Sequence, residues 1–447
     1  MFLNFRGSDT RFGFTGNLYK ALHDRGFQTF IDDEKHWLSM RKVSKAKKER
    51  FNHNIEKLGK WKLALHQGTG KIETICLEFP IFDKEMVEWN RRAFKKMKNL
   101  KTLIIKGGNF SKDPKYLPNS LRVLKWWRYP SCCLPSDFHP KKLAICKLPY
   151  SSFTSFELDG LWKASLKILN FDWCKCLTKI PDNVYGLSNL EELAFKHCKD
   201  VVRVHNSIGF LDKLKRLSAT NCTKLRSFPP LKLTSLKELD LSFCSTLERF
   251  PEILCKMENI TRVWFFKTPI KELPFSFQNL IGLEILGMSD CEIVRFPSSI
   301  VMMPKLTHIV IPALRGWQWL KREEGEEKVC SIVSSKIEKI WASNCNLNDD
   351  FFFKGYPWFA HVKVLKLSNN NFTILPEFIK ECQNLLMLSV CDCKYLQEIR
   401  GIPPNLKHFL ARKCKSLTSL SRSMFLNQEL HEAGNTTFYL PGTRIPE

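Results

Sequence analysis

No stretch of this 447-residue chain approaches the roughly 18 consecutive apolar residues that a membrane-spanning helix needs, which excludes a bundle of spans. The first ten residues, MFLNFRGSDT, also lack the uninterrupted apolar segment of a standard secretory signal, because Arg6 and Asp9 interrupt it. Both absences lead us to expect an intracellular protein, cytoplasmic and also nuclear, whose 17 cysteines are reduced thiols rather than a disulfide framework. Acidic residues are scarce, 45 against 70 lysines and arginines, leaving a net charge of +25 that permits nucleic acid, acidic protein or anionic lipid as partner without choosing among them. Zinc-knuckle spacing is missing, since Cys174-Lys-Cys176 and Cys391-Asp-Cys393 separate their thiols by one residue, so no metal site is expected. A phosphate loop is missing too. Gly68-Thr-Gly70-Lys71 has Leu65 where the earlier glycine belongs and Ile72 where a magnesium-binding hydroxyl belongs. With no such constellation, no catalytic residue and no cofactor are assigned.

What the chain does have is a repeat. At 44% hydrophobic and 26% charged it is built to fold in water, and its length suits about two to four domains or one long array. In Leu236-Lys-Glu-Leu239-Asp-Leu241-Ser-Phe-Cys244 the fourth residue serves as an anchor. Equivalent anchors fall at Leu103, Leu124, Cys146, Leu169, Leu193, Leu217, Val263, Leu286, Ile309, Ile340, Leu365, Leu388 and Phe409, with one long step of 31 residues between Ile309 and Ile340. Period-two alternation around each anchor predicts a short strand with the anchor inward and its neighbours outward. A following apolar-to-proline signature, as at Leu247 to Pro251 and Phe372 to Pro376, turns the chain away from the strand. Cys174, Cys198, Cys222, Cys244, Cys291, Cys345, Cys393 and Cys414 all stand five residues after an anchor, a slot that Asn370 also fills, which predicts inward side chains bonding backbone groups left open by the turn.

This pattern resembles the leucine-rich repeat, whose period of roughly 20 to 29 residues pairs a strand with a looser return segment and needs stacked neighbours to bury its apolar face. The expected fold class is α/β: a curved leucine-rich-repeat solenoid with parallel strands on its concave face. Ahead of it, Phe2 to Phe5 as a strand, Asn17 to Arg25 as a helix and Phe27 to Ile31 as a second strand form a βαβ opening. This segment, with Phe5-Arg6-Gly7-Ser8-Asp9-Thr10-Arg11, resembles the start of the TIR domain of plant intracellular immune receptors. By that resemblance Arg6, Gly7, Asp9, Thr10 and Arg11 are first-loop residues. The glutamate motif with which TIR domains hydrolyse NAD is absent, so a non-enzymatic protein is expected. Residues 1–34 are assigned to a partial TIR domain and 35–71 to a basic segment with a remnant last TIR helix. Residues 72–100, with a strand at Ile72 to Leu77 and a helix from Asp83 to Leu100, form a solenoid cap. The repeats run over 101–425, about 14 of them with an insertion at 312–336, and 426–447, with Tyr439-Leu-Pro-Gly442, resembles the opening of the receptors' post-repeat domain.

Outward strand positions concentrate mixed charge at Glu192, Lys196, Arg216, Glu238, Asp240 and Arg262, and aromatic area at Trp127, Trp264, Phe266 and Trp341. Arginines and aromatics dominate interface hot spots, so the expected partner-binding set is Arg216, Glu238, Asp240, Arg262, Trp264, Phe266, Trp341 and Trp127. The resemblance implies plant immune recognition of a pathogen-derived effector or a host protein, or association with full-length TIR receptors as decoy, adaptor or regulator. Nucleic acid is the runner-up partner on charge alone, without a recognisable RNA-binding or helix-turn-helix motif.

Overall fold

Each leucine-centred segment needs only three alternating residues to place one side chain in the interior and two on the surface, and short strands are what form. The computed structural model describes residues 72–79, 86–156, 165–180, 187–291, 293, 295–296, 300, 303–314, 318–319, 336–419, 421 and 437–440. The TIR-like segment with Arg6, Gly7, Asp9, Thr10 and Arg11, the basic stretch and most of the insertion lie outside the described residues. The chain divides into two compact units, residues 1–201 and 202–447.

In the first unit, β1 (Thr74–Glu78), β2 (Met86–Val87), β3 (Thr102–Lys106), β4 (Asn109–Phe110), β5 (Val123–Trp126), β6 (Ile145–Lys147), β7 (Ile168–Asn170) and β8 (Glu192–Ala194) follow in order. β1, β3, β5, β6, β7 and β8 pair successively in parallel, with Ile75, Leu103, Leu124, Cys146, Leu169 and Leu193 aligned across the register. The expected leading strand is therefore a full rung of the ladder. Over its described part, from Met86 to Leu100, the helix expected from Asp83 to Leu100 does not form. Met86 and Val87 instead pair with Asn109 and Phe110, and the rest runs through successive turns with amides bonded three residues back, Ala93 to Asn90 at 2.9 Å and Met97 to Phe94 at 3.1 Å. The helix-like spacing of apolar residues was real, since Ala93, Phe94, Met97 and Leu100 are buried. Tight turns meet the same demand, because tertiary context overrides a weak local propensity. Trp89, Phe94, Phe110, Trp126 and Tyr129 make an edge-to-face aromatic cluster, with Trp89 5.6 Å and Tyr129 5.2 Å from Trp126.

In the second unit, the strands are β9 (Arg216–Ser218), β10 (Glu238–Asp240), β11 (Arg262–Trp264), β12 (Ile285–Gly287), β13 (Arg295–Phe296), β14 (His308–Val310), β15 (Gln318–Trp319), β16 (Lys339–Trp341), β17 (Val364–Lys366), β18 (Ile374–Leu375), β19 (Met387–Ser389), β20 (Glu398–Ile399), β21 (His408–Leu410) and β22 (Thr437–Tyr439). The ladder runs in parallel through β9, β10, β11, β12, β14, β16, β17, β19, β21 and β22, again anchor to anchor. β22 adds a rung, pairing Phe438 with Phe409. A second set of short pairings, β13 with β15 and β18 with β20, forms after the turn, and Pro376 then opens a 3-10 turn at Glu377–Glu381. One short helix, α1 (Asp350–Gly355), buries Phe351 and Phe352 against Phe359 and Phe372.

The anchors are almost wholly inaccessible, Leu169, Leu239 and Leu365 among them. Burial of each contributes about 1.5–3 kcal/mol. Four residues after every anchor from Leu103 to Phe409 the backbone turns left-handed, at Gly107 and then at Arg128, Tyr150, Trp173, His197, Asn221, Phe243, Lys267, Asp290, Ala313, Asn344, Asn369, Asp392 and Lys413. None of these side chains is β-branched, as that conformation demands, and Asn or Asp takes several of the places because it tolerates the left-handed region best.

Candidate functional site

The slot after each left-handed residue points inward and closes one rung onto the previous one. Cys174, Cys198, Cys244, Cys291, Cys345, Cys393 and Cys414 donate their thiols to the carbonyls of Leu148, Phe171, Ala219, Phe265, Ile311, Leu367 and Val390, at 3.0 to 3.4 Å. Each acceptor stands two residues after the preceding anchor. Asn370 does the same and more: Nδ2 donates to Ala342 O and Leu367 O at 2.8 Å, and Oδ1 accepts from the amides of Cys345 at 2.9 Å and Leu347 at 3.1 Å.

Turn length varies along the ladder as well. In six of the eight cysteine rungs the next inward apolar residue comes eight after the anchor, as with Leu177, Leu225 and Leu396. The extra residue lets the turn bond itself, Cys174 N to Phe171 O at 3.0 Å and Leu177 N to Cys174 O at 3.1 Å. A donor alone then completes the rung. Where the spacing is seven, at Leu347, the amides need an outside acceptor, and Asn370 of the next rung supplies it. Burial pushes the thiols of Cys146, Cys174, Cys244 and Cys393 up to about 12 and those of Cys345 and Cys414 up to about 11, and it raises Cys198 and Cys291 as well. These are protonated structural thiols at neutral pH, and no disulfide joins the described cysteines. Among the described residues no group of three or more His, Cys, Asp or Glu could hold a metal ion.

The solvent side of the strands carries the candidate binding residues. In the second unit Arg216, Glu238 and Arg262 stand in one row and Asp240 and Trp264 in the next, by direct register. Arg262 pairs with Glu238 at 3.2 Å. Asp240 is a turn-closing group, accepting from Thr220 Oγ1 at 2.7 Å and from Ser242 N at 3.0 Å. Trp264 and Phe266 touch, with ring centroids 5.5 Å apart, and lie over Gly287, where a β-carbon would come within 2.1 Å of the indole. Both rings are half-buried. Trp341 is exposed at 39% and stands in the row of Trp264, three rungs on through Gly287 and Val310. Thus Arg262, Trp264 and Phe266 are brought together and Trp341 is held apart from them.

In the first unit, Trp127 is half-buried after β5, Glu192 reaches Lys147 at 3.7 Å, and the Lys196 amide donates to Asp172 at 2.8 Å. A feature that outward-position counting missed lies at the left-handed residues. Tyr150, Trp173 and His197, on successive rungs, stack nearly parallel with centroids 5.5 and 3.7 Å apart. Their shared distance of four residues from an anchor was the signal. Also missed were Lys366, with Nζ 4.3 Å from the Trp341 ring centre, and Arg412, 4.2 Å from that of Tyr439.

Parallel anchor-aligned rungs, nine of them with an inward cysteine or asparagine five residues after the anchor and all presenting an outer row, define a leucine-rich-repeat protein. Residues 232–425 match the family model described as disease resistance protein RPS4B-like, leucine-rich repeats, and residues 1–45 match that of the TIR domain. The repeats and the amino-terminal segment are thus similar to the corresponding parts of the TIR-type disease resistance proteins of plants. TMV resistance protein N of Nicotiana glutinosa is 26% identical over 417 residues, covering 79% of this chain, and disease resistance protein RPS4B of Arabidopsis thaliana is 28% identical over 354 residues, covering 75%. The chain spans 35% and 26% of the lengths of these two relatives. Among solved structures, an LRR protein of Leptospira interrogans aligns with a TM-score of 0.41 at 16% identity, over 83% of this chain and 90% of that one.

Proposed function

We propose that this chain is a non-enzymatic recognition module of plant immunity that binds a pathogen-derived or host protein through the solvent side of its strands. The observation that carries the reading is the contrast between the two sides of each rung. The inward side repeats leucine and cysteine, whereas the outward rows change at nearly every step and include Arg262, Trp264, Phe266 and Trp341, the residue types that anchor protein interfaces. The disease-resistance relatives support an immune setting. Within it the chain acts as decoy, adaptor or regulator of full-length TIR receptors. Described cysteines that form no disulfide suit a reducing compartment, which supports a cytoplasmic site of action, with the nucleus as a second one.

The test places a photo-crosslinking residue at position 341 of the full chain in plant cells challenged with a pathogen. A control chain carries it at Lys305, an exposed position on the return side. A discrete protein adduct from position 341, absent from the control and lost on Arg262→Glu substitution, is the expected result. Equal labelling from both positions overturns the reading. Turnover of NAD by the purified chain above a blank would overturn its non-enzymatic part.

A further inference from the structure

The charged groups of the second unit's ladder are sorted into columns. Two residues before the anchors, Glu338 pairs with Lys363 at 2.9 Å. Four residues after them, Lys267 pairs with Asp290 at 4.0 Å and Lys413 with Asp392 at 3.8 Å. Along both borders of the strand face from β11 to β22, acids and bases therefore occur in equal number, Glu284 and Lys407 completing the first border. Between the borders the composition changes. From β11 to β22 the strand positions beside the anchors, and the position three after them, contain no Asp or Glu at all. They contain Lys339, Lys366 and Arg412, none of which has a carboxylate within ion-pair distance among the described residues. Two of these cations rest on aromatic rings instead, Lys366 on Trp341 and Arg412 on Tyr439. The same rows hold Ile285, Val310, Val364, Met387 and Leu410, each partly exposed.

From this sorting we infer that the segment bound on the second unit's strand face is an extended acidic peptide stretch with interspersed aliphatic side chains. The inference rests on the protein-recognition reading above and names the chemistry of its partner. An unanswered ammonium held over an indole keeps part of its hydration and gains a partner cheaply when a carboxylate arrives. The neighbouring aliphatic residues offer dry contact of the kind that hydrocarbon side chains complete. Single-stranded nucleic acid would also answer the charge, but it needs open aromatic faces for its bases. Here the Trp341 face carries Lys366, and Trp264 lies against Phe266 and Gly287. Acid-free central columns with neutralised borders therefore favour carboxylates on a peptide over phosphates.

A displayed library of random 12-residue peptides, selected on the purified full chain, tests this. The expected outcome is enrichment of sequences combining Asp or Glu with Leu, Ile or Val. A recovered peptide, labelled and followed by fluorescence anisotropy, should lose about tenfold in affinity against Lys366→Glu and regain it when one of its own acids is changed to lysine. Melting of each variant, followed by circular dichroism, establishes that the fold is kept. If the selected peptides lack acidic enrichment yet lose binding on Trp341→Ala, the face still recognises protein and the acidic inference fails. If no peptide is recovered, both the inference and the reading beneath it fail. An oligothymidylate that displaces the peptide at equal or lower concentration also overturns the inference, in favour of nucleic acid.

Discussion

Replacing Asn370 with alanine removes four hydrogen bonds from one buried point. Oδ1 is the acceptor for the Cys345 and Leu347 amides, and Nδ2 the donor to the Ala342 and Leu367 carbonyls. Alanine leaves two amides without a partner in a slot only 1% exposed. An orphaned buried amide costs about 1–3 kcal/mol, and partial entry of water relieves some of that, so a loss of about 3 kcal/mol in local stability is expected. At about 1.4 kcal/mol per factor of ten, protection of these amides against hydrogen exchange should fall roughly 100-fold. Asn370→Cys keeps a donor toward Ala342 O, as the natural cysteines do toward their own acceptors, and should fall between wild type and alanine. Mass spectrometry of exchange in a peptide spanning residues 342–349 reads this directly, with Leu225, whose amide bonds within its own turn to Cys222 O at 3.0 Å, as internal control. If the Cys345 and Leu347 amides exchange within about threefold of wild type in Asn370→Ala, the rung-to-rung latch is not what holds them, and the account of the cysteine slot falls with it.

Three further outcomes follow from the same geometry. Exposed Cys132, Cys133 and Cys176 should be alkylated by a maleimide in the native protein, whereas Cys146, Cys174, Cys244 and Cys393, with thiols pushed up to about 12, should react only after denaturation. Raising the pH from 7 to 9 should leave the buried set unlabelled, since a buried thiol stays protonated until pH nears its raised value, and mass mapping of the labels checks both statements. Leu239→Ala, at an anchor 1% exposed, should cost about 2–5 kcal/mol in urea unfolding, and a loss below 1 kcal/mol would contradict its place in the core. Gly287→Ala should displace the Trp264 ring at a cost of about 1 kcal/mol in stability, with a larger relative loss in binding of any peptide that uses that ring, measured by anisotropy.

The ladder was legible because its signal is redundant. One strand of three residues is below any threshold of confidence, but Leu239, Leu365 and their equivalents recur with the same neighbours, and each repetition restates the inward position. The Asp83 to Leu100 segment had no such redundancy. Apolar residues at Phe94 and Met97 satisfied a helical period that consecutive turns satisfy equally well, and only pairing of β2 with β4 decides between them. The outer face was legible by composition and not by contact. Arg262 and Trp264 were singled out because they flank an anchor, and Phe266 because it stands outward three residues after it. Asp240 flanks one too, and it also serves the turn, accepting from the hydroxyl of Thr220 and the amide of Ser242, which outward position alone does not reveal. The different partners of cysteine and asparagine in the slot could not be read from spacing, since Cys291 and Cys345 stand in seven-residue turns as Asn370 does, and they become visible only when hydrogen-bond partners on the adjoining rung are known.

The left-handed residue four places after each anchor has a consequence for how such a surface changes over generations. The backbone there is dictated by the rung, so arginine, tyrosine, tryptophan, histidine, phenylalanine, lysine and aspartate are all held in the same attitude. Any codon for an unbranched side chain can be exchanged for another at that point without disturbing the hydrogen bonds around it. Within each unit the protein therefore owns a file of interchangeable outward fittings on a fixed rail, and point mutation can retune what it touches while the scaffold stays indifferent.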